Sequence, residues 1–195
     1  MTNPDSRAEK QLTEEAAVIM AGAECLFASS EVDAAIDSLA DQLNERLVGV
    51  NPVALCVMNG GLVISGQLLP RLSFQLQFDY LHATRYRDRT SGGELQWKRQ
   101  HEISLKDRVV LVMDDILDEG ETLKSVHDAC LAEGAKEVLR VVLVEKIHDR
   151  NIGVSAEYIG LQVPDRYVFG YGMDYKGYWR NANGIYAVAE NKSGE

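Results

Sequence analysis

Cysteine is scarce: Cys25, Cys56 and Cys130 are the only three in 195 residues, and no two form a CxxC pair. An odd, widely spaced set among apolar neighbours makes no disulfide framework, so all three are expected to be reduced and structural. Cys130 as a nucleophile would need a base beside it, and its neighbour His127 is expected on a helix surface. Only four histidines occur, with no HExxH or other metal-ligand spacing. Long hydrophobic runs are missing too. The apolar stretch at 16–23 is short and follows Glu14 and Glu15, which fits neither a signal peptide nor a membrane span. Basic residues are the rarer charge, twenty against thirty acidic ones, a formal net charge of −10. Such a balance repels polyphosphate backbones, so nucleic acid is not an expected partner. A cytoplasmic location, with no membrane partner, is the matching expectation. One small basic pocket stays compatible with it, and an anionic metabolite could enter as its magnesium complex.

What is present is the makeup of one soluble globular domain, with 46% hydrophobic and 26% charged residues. A chain of this length can bury about 70% of the surface exposed on unfolding, enough for a core without metal or disulfide staples. Thr13 before two glutamates reads as a helix start, and Ser30-Glu31-Val32-Asp33 as a second, with Ile36, Leu39, Ala40, Leu43 and Leu47 on one face. Two amphipathic helices are thus expected within 1–50. The continuous apolar run 53–58 reads as a buried strand, Asn59-Gly60-Gly61 as a turn, and 62–72 as a helix. Alternation at 74–80, a polar loop at 87–93 and a return at 94–97 make a hairpin with a mobile arm. Buried strands at 108–113 and 138–144 flank a loop at 114–120 and a helix at 122–133 ended by Gly134, and shorter strands follow near 158–161 and 167–171. With no internal repeat and no linker, the expectation is a single α/β domain over 1–195, with a mostly parallel twisted sheet flanked by helices. Its core sheet would fall within 51–150.

Ligands in such sheets bind at the carboxyl ends of the strands. The segment Val112-Met113-Asp114-Asp115-Ile116-Leu117-Asp118-Glu119-Gly120-Glu121-Thr122-Leu123 is the strongest candidate. Two carboxylates end a buried strand and can accept hydrogen bonds from sugar hydroxyls; Gly120, Thr122 and the following helix N-terminus offer donors to a phosphate. The plain alternative is a solvated acidic turn that caps the next helix. Lys146 read alone is a solvated strand-end charge, Asp174 a turn cap, Tyr167 a core or interface aromatic, and Gly60 part of a tight turn.

The segment resembles the phosphoribosyl-diphosphate (PRPP) binding motif of type I phosphoribosyltransferases, a hydrophobic strand followed by two acidic residues, two apolar residues and Asp-Thr-Gly-x-Thr. The resemblance runs from about 53 to 181, and in detail it is similar to the hypoxanthine-guanine branch. Val57-Met58-Asn59-Gly60-Gly61 resembles its pyrophosphate loop, 80–93 its flexible loop, and Val144-Glu145-Lys146 its purine-contacting strand end. Pro164-Asp165-Arg166-Tyr167-Val168-Phe169-Gly170-Tyr171-Gly172-Met173-Asp174-Tyr175 with Tyr178-Trp179-Arg180-Asn181 is the most discriminating match.

This resemblance implies a type I fold with a small hood made by the N- and C-terminal segments, 151–195 carrying the purine-binding part, and a flexible lid at 85–95. It implies Mg²⁺-dependent purine salvage, with phosphoribosyl passing from PRPP to N9 of hypoxanthine or guanine to give IMP or GMP and pyrophosphate. Asp114 and Asp115 would hold the ribose hydroxyls, and Asp118 would be the base near purine N7. Asp118, Glu119, Gly120, Glu121 and Thr122 would wrap the 5-phosphate; Asn59, Gly60 and Arg180 would contact pyrophosphate. Lys146 would reach the 6-oxo group, Tyr167 would stack on the base, and the Val168 backbone would read its edge. Asp174, with Asp114 and Asp115, would serve the metal. A cis Met58–Asn59 peptide and a homodimer or homotetramer are also implied. Three positions depart from the pattern: Asn59 stands for lysine, Glu119 for a small threonine, and Arg85-Tyr86 for Ser-Tyr. The Glu119 carboxylate is expected to turn away from a phosphate that would repel it. A xanthine-preferring enzyme and a non-catalytic PRPP-binding regulator are the alternatives; the regulator would need a basic face. A receiver-type signalling domain would carry its acidic pair after the first strand rather than past mid-chain.

Overall fold

In the computed structural model, residues 4–85 and 95–189 are described, with side chains for 7–83 and 97–189. The flexible loop and lid expected at 80–93 and 85–95 fall mainly on 86–94, outside the described residues.

A six-stranded sheet forms the body. Its strands are β2 (Val53–Met58), β3 (Gln77–Arg85), β4 (Leu95–Arg99), β5 (Val109–Leu117), β6 (Glu137–Ile147) and β7 (Tyr158–Pro164), in the spatial order β4-β3-β2-β5-β6-β7. All neighbours run parallel except β3 and β4. Because successive side chains face opposite sides, each buried strand feeds two cores. Ala54, Leu111, Met113, Val141 and Leu143 meet α2 (Ser29–Leu47) and α3 (Gly61–Leu68) on one side. Val53, Leu55, Val110, Val112 and Val142 meet α4 (Glu121–Ala132) on the other, through Leu123, Val126 and Cys130. The face expected on α2 is the buried one: Ile36, Leu39, Ala40, Leu43 and Leu47 are all at most 3% exposed. Burial of each large aliphatic chain contributes about 1.5–3 kcal/mol. Cys56 and Cys130 are free and buried, and burial pushes their thiols up to about 11 and about 12 respectively, which disfavours the thiolate a nucleophile needs; Cys25 is free and exposed.

A second, antiparallel sheet builds the hood: β1 (Glu24–Ala28), β9 (Gly184–Ala187) and β8 (Val168–Phe169), in the order β1-β9-β8. Several expectations need correcting here. The opening helices are separated by β1, and α1 (Pro4–Gly22) begins well before Thr13, whose hydroxyl donates back to the Glu9 carbonyl at 2.9 Å inside the helix. The core sheet passes residue 150, since β7 is its edge. The loop expected at 114–120 begins only after Leu117, so Asp114 and Asp115 lie within β5. The helix expected over 62–72 stops at Leu68 and continues as one 3-10 turn, Leu69–Arg71. Among the described residues no helix is long and apolar enough to cross a membrane.

α1 packs on the hood through aromatic residues near the chain's end. Ala16, Ile19 and Met20 lie against Phe169, Tyr175, Tyr178 and Trp179. Trp179 donates its indole N–H to the Ala16 carbonyl at 2.7 Å, and Glu15 accepts from Tyr175 and Lys176, each at 2.6 Å.

Candidate active site

Parallel pairing places the ends of β5 and β6 level. Asp114 faces Val142 and Leu117 faces Glu145, so the residues one step further, Asp118 and Lys146, emerge side by side. Lys146 Nζ donates to Asp118 Oδ2 at 2.6 Å, and His148 Nε2 lies 2.6 Å from Asp118 Oδ1. Burial raises the Asp118 carboxyl, but the bonds from Lys146 and then His148 outweigh it and hold it below the usual carboxylate range.

Four and three residues before Asp118, Asp114 and Asp115 are each only 8% exposed. The Asp115 backbone N–H donates to Asp114 Oδ1 at 2.9 Å. Burial, and then the adjoining Asp115 charge, push Asp114 well above its ordinary value; burial also raises Asp115, opposed by the Asp114 hydrogen bond and by Arg180. The pair holds a proton more readily than two exposed aspartates would.

The turn after β2 sits directly on this pair. A Cβ on Gly60 would collide with the Asp115 carboxylate, and one on Gly61 would lie 2.6 Å from the Met113 carbonyl oxygen. The Met58–Asn59 peptide is cis. From the other side comes Gly172 (φ +107°), whose Cβ would strike the Gly60 carbonyl oxygen. Arg180 closes this floor: it donates to the Gly172 carbonyl at 2.5 Å, pairs with Asp174 Oδ1 at 2.5 Å and lies 4.0 Å from Asp115 Oδ2. The second Asp174 oxygen accepts the Gly177 N–H at 2.6 Å. Tyr167, 51% exposed, leans edge-on to Tyr175 and donates its hydroxyl to the Asp174 carbonyl at 3.2 Å, leaving ring surface for a flat partner.

Gly120 turns the chain into α4 at φ +92°, where a Cβ would lie 2.7 Å from Val154. The first N–H groups of a helix have no partner within it, so the start of α4 beside this turn is of the kind that can receive an anion. Residues 114–123 line a cup of about 350 Å³, and beside it lies a cleft of about 730 Å³ that shares Asp114, Asp115, Asp118 and Thr122 with it. Every candidate residue lines one or the other: Glu119, Gly120 and Glu121 the cup, and Asn59, Gly60, Lys146, Tyr167, Val168, Asp174 and Arg180 the cleft. The Glu119 carboxylate lies 3.8 Å from the Arg150 guanidinium. Arg150 itself is held by Asp165 at 2.5 and 2.7 Å.

Residues 23–176 match the profile of the phosphoribosyl transferase domain. The chain belongs to this family. Among similar proteins, the bifunctional protein TilS/HprT of Listeria innocua is 33% identical over 157 residues, 80% of this chain and 24% of that protein, so the chain spans about a quarter of that relative's length. A hypoxanthine-guanine phosphoribosyltransferase of Streptococcus pneumoniae is 29% identical over 80% of this chain and 87% of its own. A crystal structure of a hypoxanthine phosphoribosyltransferase from Staphylococcus aureus superposes with a TM-score of 0.84 at 26% identity, covering 91% of this chain and 98% of that one. A receiver domain is thereby excluded.

In this phosphoribosyl transferase domain the cleft is also lined by residues that the motifs did not single out. His82 and Lys98, from β3 and β4, line the cleft, and Met173 adds an apolar wall. His148 has the closest link to the candidate residues, and a signal for it existed: it stands two positions after Lys146, on the same side of an extended segment.

Proposed function

We propose that this chain is a 6-oxopurine phosphoribosyltransferase of purine salvage, transferring phosphoribosyl from PRPP to N9 of hypoxanthine or guanine with release of pyrophosphate. The observation that carries the reading is the 2.6 Å contact of Lys146 and Asp118 in one cleft, beside the buried aspartate pair. Asp114 and Asp115 are suited to accept from the ribose hydroxyls. The Gly120–Thr122 turn and the start of α4 receive the 5-phosphate through backbone N–H groups. The Lys146 ammonium favours an oxo group at purine C6 and opposes an amino group, since two donors would then face each other. Tyr167 offers its ring to the base. Asp118 takes the proton shed by the purine as its nitrogen bonds to C1 of the sugar, a step worth about 10²–10⁴-fold. The bonds from Lys146 and His148 hold its pKa below the usual carboxylate range, and release of Lys146 to the base would raise its affinity for that proton.

Mg²⁺ fits the donor set. The carboxylates of Asp114, Asp115 and Asp174 line the cleft together with the Arg180 guanidinium, and one or two carboxylates with waters and substrate phosphates are a usual Mg²⁺ shell; among the described residues no group of three or more metal-binding side chains gathers. Asp174, outside the buried pair, is the side chain best placed to hold it. When bound, the ion would neutralise charge on the departing pyrophosphate. Arg180 serves the same end from the protein side.

A panel of purines with PRPP and Mg²⁺, following pyrophosphate release, tests the reading. Turnover of hypoxanthine or guanine and none of adenine is expected. Exclusive use of adenine, orotate or uracil would overturn it, and a strong preference for xanthine would move the chain to a different branch of oxopurine specificity.

A further inference from the structure

We propose that His148 is the positioning residue of Asp118, with its imidazole held in one tautomer by the backbone of Arg150. The inference rests on the reading of Asp118 as the proton acceptor. The Arg150 backbone N–H approaches His148 Nδ1 at 3.1 Å. A backbone N–H can only donate, so Nδ1 must keep its lone pair, and the proton of the neutral ring sits on Nε2. That nitrogen faces Asp118 Oδ1 at 2.6 Å. The imidazole side chain is 3% exposed, which leaves water little chance to replace either bond. The Arg150 side chain in turn makes a two-bond fork with Asp165.

The two donors on Asp118 differ in kind. Lys146 is a flexible chain with three N–H bonds, able to turn from Oδ2 to a purine oxygen in the same cleft. His148 is a short, buried ring fixed from behind. When Lys146 engages the base, Oδ2 is released towards it while Oδ1 stays held, so His148 determines which oxygen receives the proton. The charged groups set around the ring are Asp118 from the β5–α4 loop, Asp165 from the turn after β7, and Lys146 and Arg150 on its own segment. Burial raises the Asp118 carboxyl, and the His148 bond, second to that of Lys146, helps to bring it below the usual range.

The test compares wild type with His148→Leu and His148→Gln; glutamine offers an amide N–H at the reach of Nε2. Expected for His148→Leu are a kcat about 10- to 100-fold lower, a KM for PRPP within about threefold of wild type, and an acidic limb of the kcat profile moved to higher pH, because Asp118 has lost a donor. His148→Gln should recover most of the lost kcat and return the limb towards its original position. ¹⁵N NMR of the wild-type imidazole should show the Nε2–H tautomer, and Asp118→Asn should shift that signal. An unchanged kcat and pH limb in a folded His148→Leu would overturn the proposal, as would an Nδ1–H tautomer. If wild type itself shows no PRPP-dependent turnover, the functional reading fails, while the NMR arm still reports on the lock.

Discussion

Gly172→Ala is the perturbation that bears most directly on how the floor of the site is assembled. A methyl group there meets two separate obstacles. The backbone sits at φ +107°, outside the regions open to side-chain-bearing residues, and the new Cβ would overlap the Gly60 carbonyl oxygen while lying 3.4 Å from Asp115 Cβ. The obstacle is backbone, so no rotamer change can relieve it. Forced φ costs about 1–3 kcal/mol and overpacking about as much, together roughly 2–6 kcal/mol. At about 2–4 °C per kcal/mol for a domain of this size, Tm should fall by roughly 5–20 °C. Relief by displacement would push the Asn59–Gly61 turn off Asp115, and a shift near 1 Å at a reacting site is worth about 10²-fold in rate. Thermal unfolding and steady-state turnover read both effects. Gly49→Ala is the control, because Gly49 has φ +76° but nothing within 4 Å of its would-be Cβ. Equal loss of Tm in the two variants would refute the argument, since the close approach of Gly172 to Gly60 would then contribute nothing.

Asp118→Asn should depress kcat by about 10²–10⁴-fold while leaving PRPP affinity nearly unchanged, measured by kinetics and by calorimetric titration; unchanged turnover would remove Asp118 from the role of base. Asp114→Asn should stabilise the fold while impairing ribose binding. The folded-state pKa of Asp114 is raised, so wild type loses stability as pH climbs from the ordinary carboxylate value through the folded one; the Tm advantage of the variant should be larger at pH 8 than at pH 4, and the opposite trend would contradict it. Trp179→Phe deletes the bond to the Ala16 carbonyl, worth about 0.5–1.5 kcal/mol, and should speed amide exchange across the second half of α1 without altering exchange in β5.

The central strands were legible because each is a dominantly apolar run, 53–58 closed by Asn59-Gly60, 109–113 by Asp114 and 138–144, interrupted only by Arg140, by Glu145, and a strand buried on both faces leaves that trace. The apolar stripe of α2 was legible for the same reason at helical spacing. Lys146 beside Asp118 was readable only through the family motifs; locally nothing distinguishes that lysine from a solvated one. β1 escaped notice because its five residues are exposed or half-buried without alternation, and its partner lies near the opposite end of the chain. Pro4 is a sound first-turn residue, yet the threonine and glutamates nine positions on gave a stronger local signal for the wrong start. Asp114 and Asp115 were placed in a loop because aspartate disfavours strands; sheet pairing on β6 overrides that preference.

The hood joins segments that are synthesised far apart in time. Glu24 finds Ala187 opposite it, and β9 is the middle strand on which both β1 and β8 depend. A nascent chain halted just before Gly184 would already contain each group proposed to touch sugar, phosphate and pyrophosphate, yet β1 would hang unpaired and the wall carrying Tyr167 and Val168 would lack its backing. Closing so long a loop is entropically slow, which makes roofing of the base pocket a late event of folding. Nonsense or frameshift lesions that remove β9 (Gly184–Ala187) should therefore be as damaging as lesions in the central strands.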